Sequence, residues 1–240
     1  MTGRLITILQ LYPKAMNIYG DYGNVLVLKR RLQWYGYEVN VLAYNTGDKF
    51  PDDVDLIIGG GGQDSGQLQI QADLLMIAPR LQQLADRGVP MLMICGLYQL
   101  FGKFFKTASG DVIQGIGLLD IETYGKSERL IGNVVATSDQ FGKIIGYENH
   151  SGQTYLGSGV TPLGEIQLGA GNNTDSNTEG ARYNNVIGSY LHGSILPKNP
   201  QIADFLIDRA VTNKYGVFYS EPIGDKFVGE ARKVASKRPR

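Results

Sequence analysis

The sequence predicts an α/β fold: a mostly parallel sheet covered by helices on both faces, with an antiparallel or mixed strand extension. Three observations carry this. In the N-terminal part, short apolar runs alternate with segments of helical periodicity, the order of strand–helix units. From about Ile113 to Val186 the pattern changes to short alternating runs with glycine turns. A length of 240 residues suits one large core better than two small ones.

The elements follow in order. Leu5 to Leu11 is a first strand. Val25, Leu28, Leu32 and Tyr35 recur at helical spacing, so Asn24 to Tyr35 is a helix. Glu38 to Ala43 is a second strand, and Val54 to Ile58 a third that ends in four glycines, Gly59 to Gly62. Gln69 to Arg87 is a helix interrupted or kinked near Pro79, with Gly88 at its end. Met91 to Ile94 is the fourth strand, and Gly96 to Phe104 opens the next helix. Asn133 to Thr137 and Lys143 to Tyr147 are the short alternating runs of the extension. Leu163 to Arg182, rich in Gly, Asn and Thr, reads as a mobile surface loop. Asn185 to Leu191 is a strand and Pro200 to Tyr215 a helix. The tail carries Lys233, Lys237, Arg238 and Arg240 and reads as frayed and solvated. No repeat or linker divides the chain, so one domain is expected over 1–218 and a basic tail over 219–240.

Composition excludes some functions. Lys plus Arg and Asp plus Glu balance at 23 each, which gives no support to nucleic-acid binding or attraction to an anionic membrane. A single cysteine forbids an internal disulfide and fits a reducing compartment. The run from Met1 to Leu9 has no cleavage site, and no apolar stretch reaches the length of a bilayer span. A cytoplasmic chain with no membrane insertion is expected. Many of the 32 glycines lie at strand ends, which suggests a site built from tight loops.

The chemistry centres on Cys95, placed between the apolar run Val89–Ile94 and a helix starting at Gly96. A residue there sits on a sharp turn, where helix N–H groups favour a thiolate and a developing oxyanion. A cysteine nucleophile needs a base. Only His150 and His192 are available, and both lie at strand ends. In an open parallel sheet those ends collect the site, so Cys95 and His192 can meet despite their separation in sequence. Gly60 and Gly61 in the glycine run and the N–H of Gly96 are candidate oxyanion donors. A phosphate loop is the competing reading of the glycines, but no Lys-Ser or Lys-Thr pair follows them. The bland alternatives are an inert core cysteine, structural histidines, a simple tight turn and, for Arg129, a surface ion pair. No metal site is expected. The residues alone indicate a Cys–His acyl-transfer enzyme without naming a substrate.

At four places the sequence resembles a known family. Met93 to Gly102 is similar to the nucleophile turn of class I glutamine amidotransferases. Gly146-Tyr147-Glu148-Asn149-His150-Ser151-Gly152 resembles the Gly-Tyr-Glu-x-His-x-Gly segment of the cobyric acid synthase branch. Gly59 to Asp64 resembles the glycine oxyanion loop of that branch, and Gly188 to Gly193 its catalytic histidine strand. Order and spacing agree from about Leu5 to Tyr215. The short length, Asn17 to Asn24 and Glu128 to Asn133 resemble the GatD-type subunits of lipid II isoglutaminyl synthase.

The resemblance implies a flavodoxin-like class I amidotransferase fold and release of ammonia from L-glutamine. It implies a Mur-ligase-like, MurT-type partner that uses ATP and Mg to amidate the α-carboxyl of D-glutamate in lipid II, with no cofactor in this subunit. Cys95 would form a γ-glutamyl thioester, and His192 would act as base and then acid. Gly60, Gly61 and Gly96 would hold the oxyanion. Gln99 and Arg129 would bind glutamine, Arg129 through the α-carboxylate. His150 and Asn149 would stand at the rim, with His150 otherwise structural.

Three departures bear on this. Met93 and Leu97 replace the glycines usual two positions before and after the nucleophile. Ser194 stands where many class I enzymes carry a Glu that orients the histidine. The third group is therefore expected to be absent or supplied by the partner. The third departure is the structural reading of His150, where the family pattern keeps a histidine. Other readings are a cobyrinic-acid-type acceptor, which the lack of a fused ATP-binding domain disfavours, a PfpI-like cysteine hydrolase, and a noncatalytic binding subunit with a decayed turn.

Overall fold

The computed structural model describes residues 4–219 and 221–239; Met1 to Gly3 of the N-terminal run and Arg240 of the basic tail lie outside it. The first half builds β1 (Leu5–Leu11), α1 (Tyr22–Trp34), β2 (Glu38–Tyr44), β3 (Leu56–Gly59), α2 (Asp64–Asp86), β4 (Met91–Ile94) and α3 (Gly96–Phe101). The second half builds β5 (Phe104–Lys106), β6 (Val112–Gln114), β7 (Ile121–Ser138), β8 (Gly142–Leu156), β9 (Gly164–Leu168), β10 (Thr178–Glu179), β11 (Ala181–Tyr183) and β12 (Val186–Ser189). Helices α4 (Ile195–Lys198), α5 (Pro200–Tyr215) and α6 (Lys226–Ala235) complete it.

The main sheet runs β11-β12-β4-β3-β1-β2, parallel throughout except for β11 at one edge. β3, β4 and β12 are buried along their whole length, as strands covered on both faces must be. The order reverses between β1 and β3, so right-handed crossovers send α1 and α2 to opposite faces. α1 packs on α4 and α5, while α2 packs on α3 and β6. Chain ends of β1, β3, β4 and β12 therefore gather at one edge, the place where open parallel sheets bind ligands. The second sheet runs β10-β9-β7-β5-β6, with β8 paired to β7. It is mixed: β5 runs parallel to β7 and the other pairs are antiparallel. The predicted architecture, a parallel sheet with a mixed extension, is the one observed.

Several element readings need correction. α2 starts at Asp64 and runs unbroken through Pro79, because its face of Ile70, Leu74, Ile77, Leu81 and Leu84 is buried. Burial of such side chains contributes about 1.5–3 kcal/mol each, enough to outweigh a helix-interior proline. Leu163 to Arg182 is not a surface loop. It supplies β9, β10 and most of β11, and Leu163, Asn172, Asn173, Glu179 and Ala181 are buried. Its polar residues satisfy backbone groups inside the fold: Asn172 O accepts from Thr154 N at 2.7 Å, and Asn173 Nδ2 donates to Thr154 O at 2.6 Å. The tail, read as frayed, carries α6, where Arg232 donates to the carbonyls of Lys198 and Lys143. Asn133 Nδ2 donates to Ala235 O at 3.1 Å from the other side.

Candidate active site

Cys95 sits between β4 and α3 with φ 49° and ψ −103°, a backbone state costing about 1–3 kcal/mol for a residue with a side chain. Such strain persists only where the surroundings fix it. The Cys95 N–H donates to Ser189 O at 2.8 Å, which ties the turn to the end of β12. The bulk of Met93 and Leu97 is accommodated by β3. A Cβ at Gly59 would lie 2.5 Å from Leu97 Cδ1 and 2.7 Å from Met93 Sδ. The space that Met93 and Leu97 need is cleared on the neighbouring strand.

His192 lies three residues beyond β12, its N–H donating to Tyr147 O at 2.7 Å. The structure brings it to Cys95. A Cβ at Gly61 would lie 2.9 Å from His192 Cε1 and 3.3 Å from Cys95 Cβ, so both side chains close on one atom-sized space. The Tyr19 ring packs on the imidazole with centroids 4.3 Å apart.

Asp21, between β1 and α1, faces the same imidazole, with Oδ1 3.9 Å from Nδ1. Its Oδ2 accepts from Gly61 N at 2.7 Å. The Gly61 N–H, a candidate oxyanion donor, is thus directed at Asp21. The Ser194 hydroxyl is engaged by the β1–α1 loop, donating to Gly20 O at 3.0 Å. Asp21 Oδ1 and both His192 ring nitrogens are buried without a hydrogen-bond partner.

Burial sets the protonation states. It pushes the Cys95 thiol up to about 12, reinforced by the Asp21 charge, and the Gly96 N–H and Arg129 only partly offset it. Burial also pulls His192 down to about 3, helped by His150, Arg129 and Lys198. Asp21 is raised to about 6 by burial, against the pull of the Gly61 N–H. The expectation of a standing thiolate is therefore corrected: thiol and imidazole are both neutral at rest. The turn supplies too few donors to repay the loss of water.

Cys95 opens onto a cleft of about 300 Å³ lined by Tyr19, Asp64, Ser65, Gln99 and Arg129 among others. Arg129 stands exposed at the β7 bulge between Gly125 and Leu130, its Nε donating to Asn149 Oδ1 at 2.6 Å and Nη2 to Tyr19 Oη at 3.0 Å. Among the described residues it has no carboxylate partner, so the surface ion pair of the bland reading does not form. Gln99 reaches the cleft with its amide already engaged, accepting from Gln67 Nε2 at 2.8 Å and donating to Tyr190 Oη at 3.1 Å. His150 stacks on Tyr190 at 3.6 Å, and its Nδ1 lies 2.7 Å from Gly152 O, which places the proton on that nitrogen. Asn149 and His150 both line the cleft. Gly60 packs against the β1–α1 loop, where a Cβ would meet Met16 O at 2.2 Å.

Tyr19 and Asp21 carry no individual motif in the sequence that marks them as site residues. Their signal was present in Asn17 to Asn24, a segment picked out only as a resemblance.

Residues 7–200 match the CobB/CobQ-like glutamine amidotransferase domain. The chain is 38% identical to the lipid II isoglutaminyl synthase subunit GatD of Staphylococcus aureus (strain N315), covering 97% of this chain and 96% of that one. It is 37% identical to the GatD subunit of Streptococcus pneumoniae, over 88% of this chain and 82% of that one. A probable cobyric acid synthase of Methanothermobacter thermautotrophicus is 33% identical over 66% of this chain but 34% of its own length. The PurLQS structure from Thermotoga maritima superposes with a TM-score of 0.59 at 18% identity, over 86% of this chain and 98% of that one, a likeness of fold. A strained cysteine turn, an adjoining histidine and a glycine loop at one sheet edge now stand beside a match along nearly the whole chain. The chain belongs to the CobB/CobQ-like glutamine amidotransferases, in their GatD branch.

Proposed function

We propose that this chain is the glutaminase subunit of a lipid II isoglutaminyl synthase. The observation that carries this is the convergence of Cys95 and His192 on the space at Gly61, with Cys95 opening onto a cleft that also bears the unpaired cation of Arg129. Glutamine enters with its α-carboxylate on Arg129, which gains a charge-assisted partner. Its carboxamide carbon then lies toward Cys95. His192 takes the thiol proton as sulfur attacks the carbonyl carbon, and the oxyanion forms against the N–H of Gly96, because the Gly61 N–H is held by Asp21. His192 returns the proton to the nitrogen as the C–N bond breaks. Ammonia leaves and a γ-glutamyl thioester remains. Water, deprotonated by the same imidazole, splits the thioester to glutamate and thiol. Gln99, held by Gln67 and Tyr190, shapes the cleft floor, and Asn149 steers Arg129.

Neutral resting states fit this sequence, because proton transfer is coupled to attack and an empty site does not hold a reactive thiolate. Ammonia then passes, sealed from water, to a Mur-ligase-like, MurT-type subunit in the cytoplasm. That subunit activates the α-carboxyl of D-glutamate in lipid II with ATP and Mg. Coverage favours this acceptor over a cobyrinic-acid type. The chain matches GatD along 96% of its length but only about a third of the cobyric acid synthase. Among the described residues no helix is long and apolar enough to cross a membrane.

The test is co-expression with a Mur-ligase-like protein. A complex that amidates a D-glutamyl lipid precursor with glutamine and ATP supports the reading, with loss of amidation in Cys95→Ala. Intact amidation in that variant, or glutamine hydrolysis with no D-glutamyl amide formed, contradicts it.

A further inference from the structure

We propose that the outward face of α1 and α6 is a peripheral docking surface for an anionic lipid bilayer. The inference goes beyond the glutaminase reading and stands on residues that do not line the Cys95 cleft.

Helix α6 turns its apolar stripe away from the fold. Phe227, Ala231 and Val234 recur at i, i+4 and i+7, one side of a helix, with Phe227 84% and Val234 62% exposed. The other side meets the fold through polar groups. Arg232 donates to Lys143 O at 2.6 Å and to Asn199 Oδ1 at 3.0 Å, and Ala235 O accepts from Asn133 Nδ2 at 3.1 Å. Asp225, just before the helix, pairs with Arg31 at 2.8 Å. None of the residues of α6 is buried. A helix this short is marginal without a covered apolar face, and among the described residues this stripe stays open.

The apolar surface continues onto α1. Leu26 and Trp34, both exposed, share with Phe227 a groove of about 400 Å³. Arg30 also lines that groove, its guanidinium 5.5 Å from the centre of the Trp34 ring. Trp and Phe side chains flanked by Lys and Arg are the set that seats at the boundary between lipid headgroups and acyl chains.

Charge selects the occupant. Exposed Lys29 and Arg30 stand on α1, which carries no carboxylate. Lys226 and Lys233 flank the stripe on α6, and Lys237 and Arg238 follow it. The one acid between positions 226 and 239 is Glu230, held by Lys233 at 2.9 Å. The even charge balance of the whole chain hides this local excess. Two copies meeting on a two-fold axis would set these cations against one another, because such an interface is self-complementary. A partner that receives ammonia must cover the Cys95 cleft. Trp34 lies about 18 Å along α1 from Tyr22, which follows the loop bringing Tyr19 to that cleft. An anionic bilayer answers both features of the face: apolar side chains enter the boundary while the long cationic ones reach the phosphates.

The experiment mixes the full chain, alone and with a Mur-ligase-like partner, with vesicles of phosphatidylcholine or of phosphatidylcholine plus phosphatidylglycerol. Trp34 is the sole tryptophan, so emission from the isolated chain reports this face directly. The expected result is a blue shift and co-sedimentation with the anionic vesicles only, both weakened by salt. Lys237→Gln combined with Arg238→Gln should weaken binding by about 25-fold, or about fivefold per cation. Phe227→Ser combined with Val234→Ser should weaken it by about tenfold or more. Circular dichroism and labelling of Cys95 by a glutamine-derived chloroketone should be unchanged in both double variants. That labelling keeps a failure of this inference apart from a failure of the glutaminase reading. No shift with anionic vesicles, equal binding to neutral ones, or unaltered binding in either double variant overturns the inference. Self-association that buries Trp34, or loss of vesicle binding once the partner is present, assigns the face to a protein and overturns it as well.

Discussion

Leu97 packs directly on the bare Cα of Gly59: a Cβ there would come within 2.5 Å of Leu97 Cδ1 and 3.3 Å of Leu97 Cβ. The Cys95 turn and the neighbouring strand are therefore fitted as one unit. Gly59→Ala should push the turn away from its position, at a cost of about 1–3 kcal/mol for overpacking. Denaturant unfolding measures that cost, and Cys95 alkylation by the glutamine analogue should slow in the same variant. Wild-type stability and rate together would show that the turn tolerates the extra methyl group.

In the proposed function Arg129 is the cation that receives the glutamine α-carboxylate. Its removal should weaken glutamine binding by the value of a charge-assisted hydrogen bond, about 1.5–3 kcal/mol, or roughly 10- to 150-fold. Protection of Cys95 by graded glutamine reads this directly. Arg129→Lys keeps the charge but loses the fork that holds Asn149 and Tyr19, so it should fall between wild type and Arg129→Ala.

The resting thiol should behave as a weak acid. With Cys95 raised to about 12, alkylation by iodoacetamide should keep climbing with pH through 9 and beyond. A poised thiolate would instead level off below neutrality. Linkage has the matching sign: the folded pKa is raised, so the stability it contributes is present below the unfolded value of 9.0 and is lost as pH rises toward about 12. Cys95→Ala should remove that alkaline loss in thermal melts.

Glu179 offers a second linkage test away from the reacting atoms. It is fully buried, accepts from Ser189 Oγ at 2.6 Å and from Tyr190 N at 3.0 Å, and is raised to about 7, chiefly by burial. Its folded pKa lies above the unfolded value of 4.5, so its contribution is present below 4.5 and is lost as pH rises through about 7. Glu179→Gln stays neutral and should gain on wild type between pH 5 and 8, by about 3 kcal/mol at most. Parallel melting curves for the two proteins across that range would show that the Glu179 carboxyl titrates in the fold as it does in the unfolded chain, with no raised pKa.

Much of this was legible in the sequence. Apolar periodicity placed β1, β4, α1 and α5 within a few residues, because their buried faces are continuous. The meeting of Cys95 and His192 followed from strand-end logic, since parallel neighbours β4 and β12 must end side by side. Two kinds of feature were not legible. The segment from Leu163 to Arg182 looks like a loop because Asn and Thr side chains, not apolar ones, satisfy its interior. The approach of Asp21 to His192 was hidden because it depends on a loop reaching from β1 to the end of β12, a contact with no local pattern. The protonation states were also misread: a helix start suggests a thiolate, but only the fold shows how completely water is excluded.

The most direct test of the Cys95–His192 pair is the site and rate of labelling by a glutamine-derived chloroketone in wild type and His192→Ala. The account predicts a single adduct on Cys95, suppressed by glutamine, and a rate lower by about 10²–10⁴-fold without the imidazole. Labelling of Cys95 that ignores glutamine and proceeds equally in His192→Ala would contradict it.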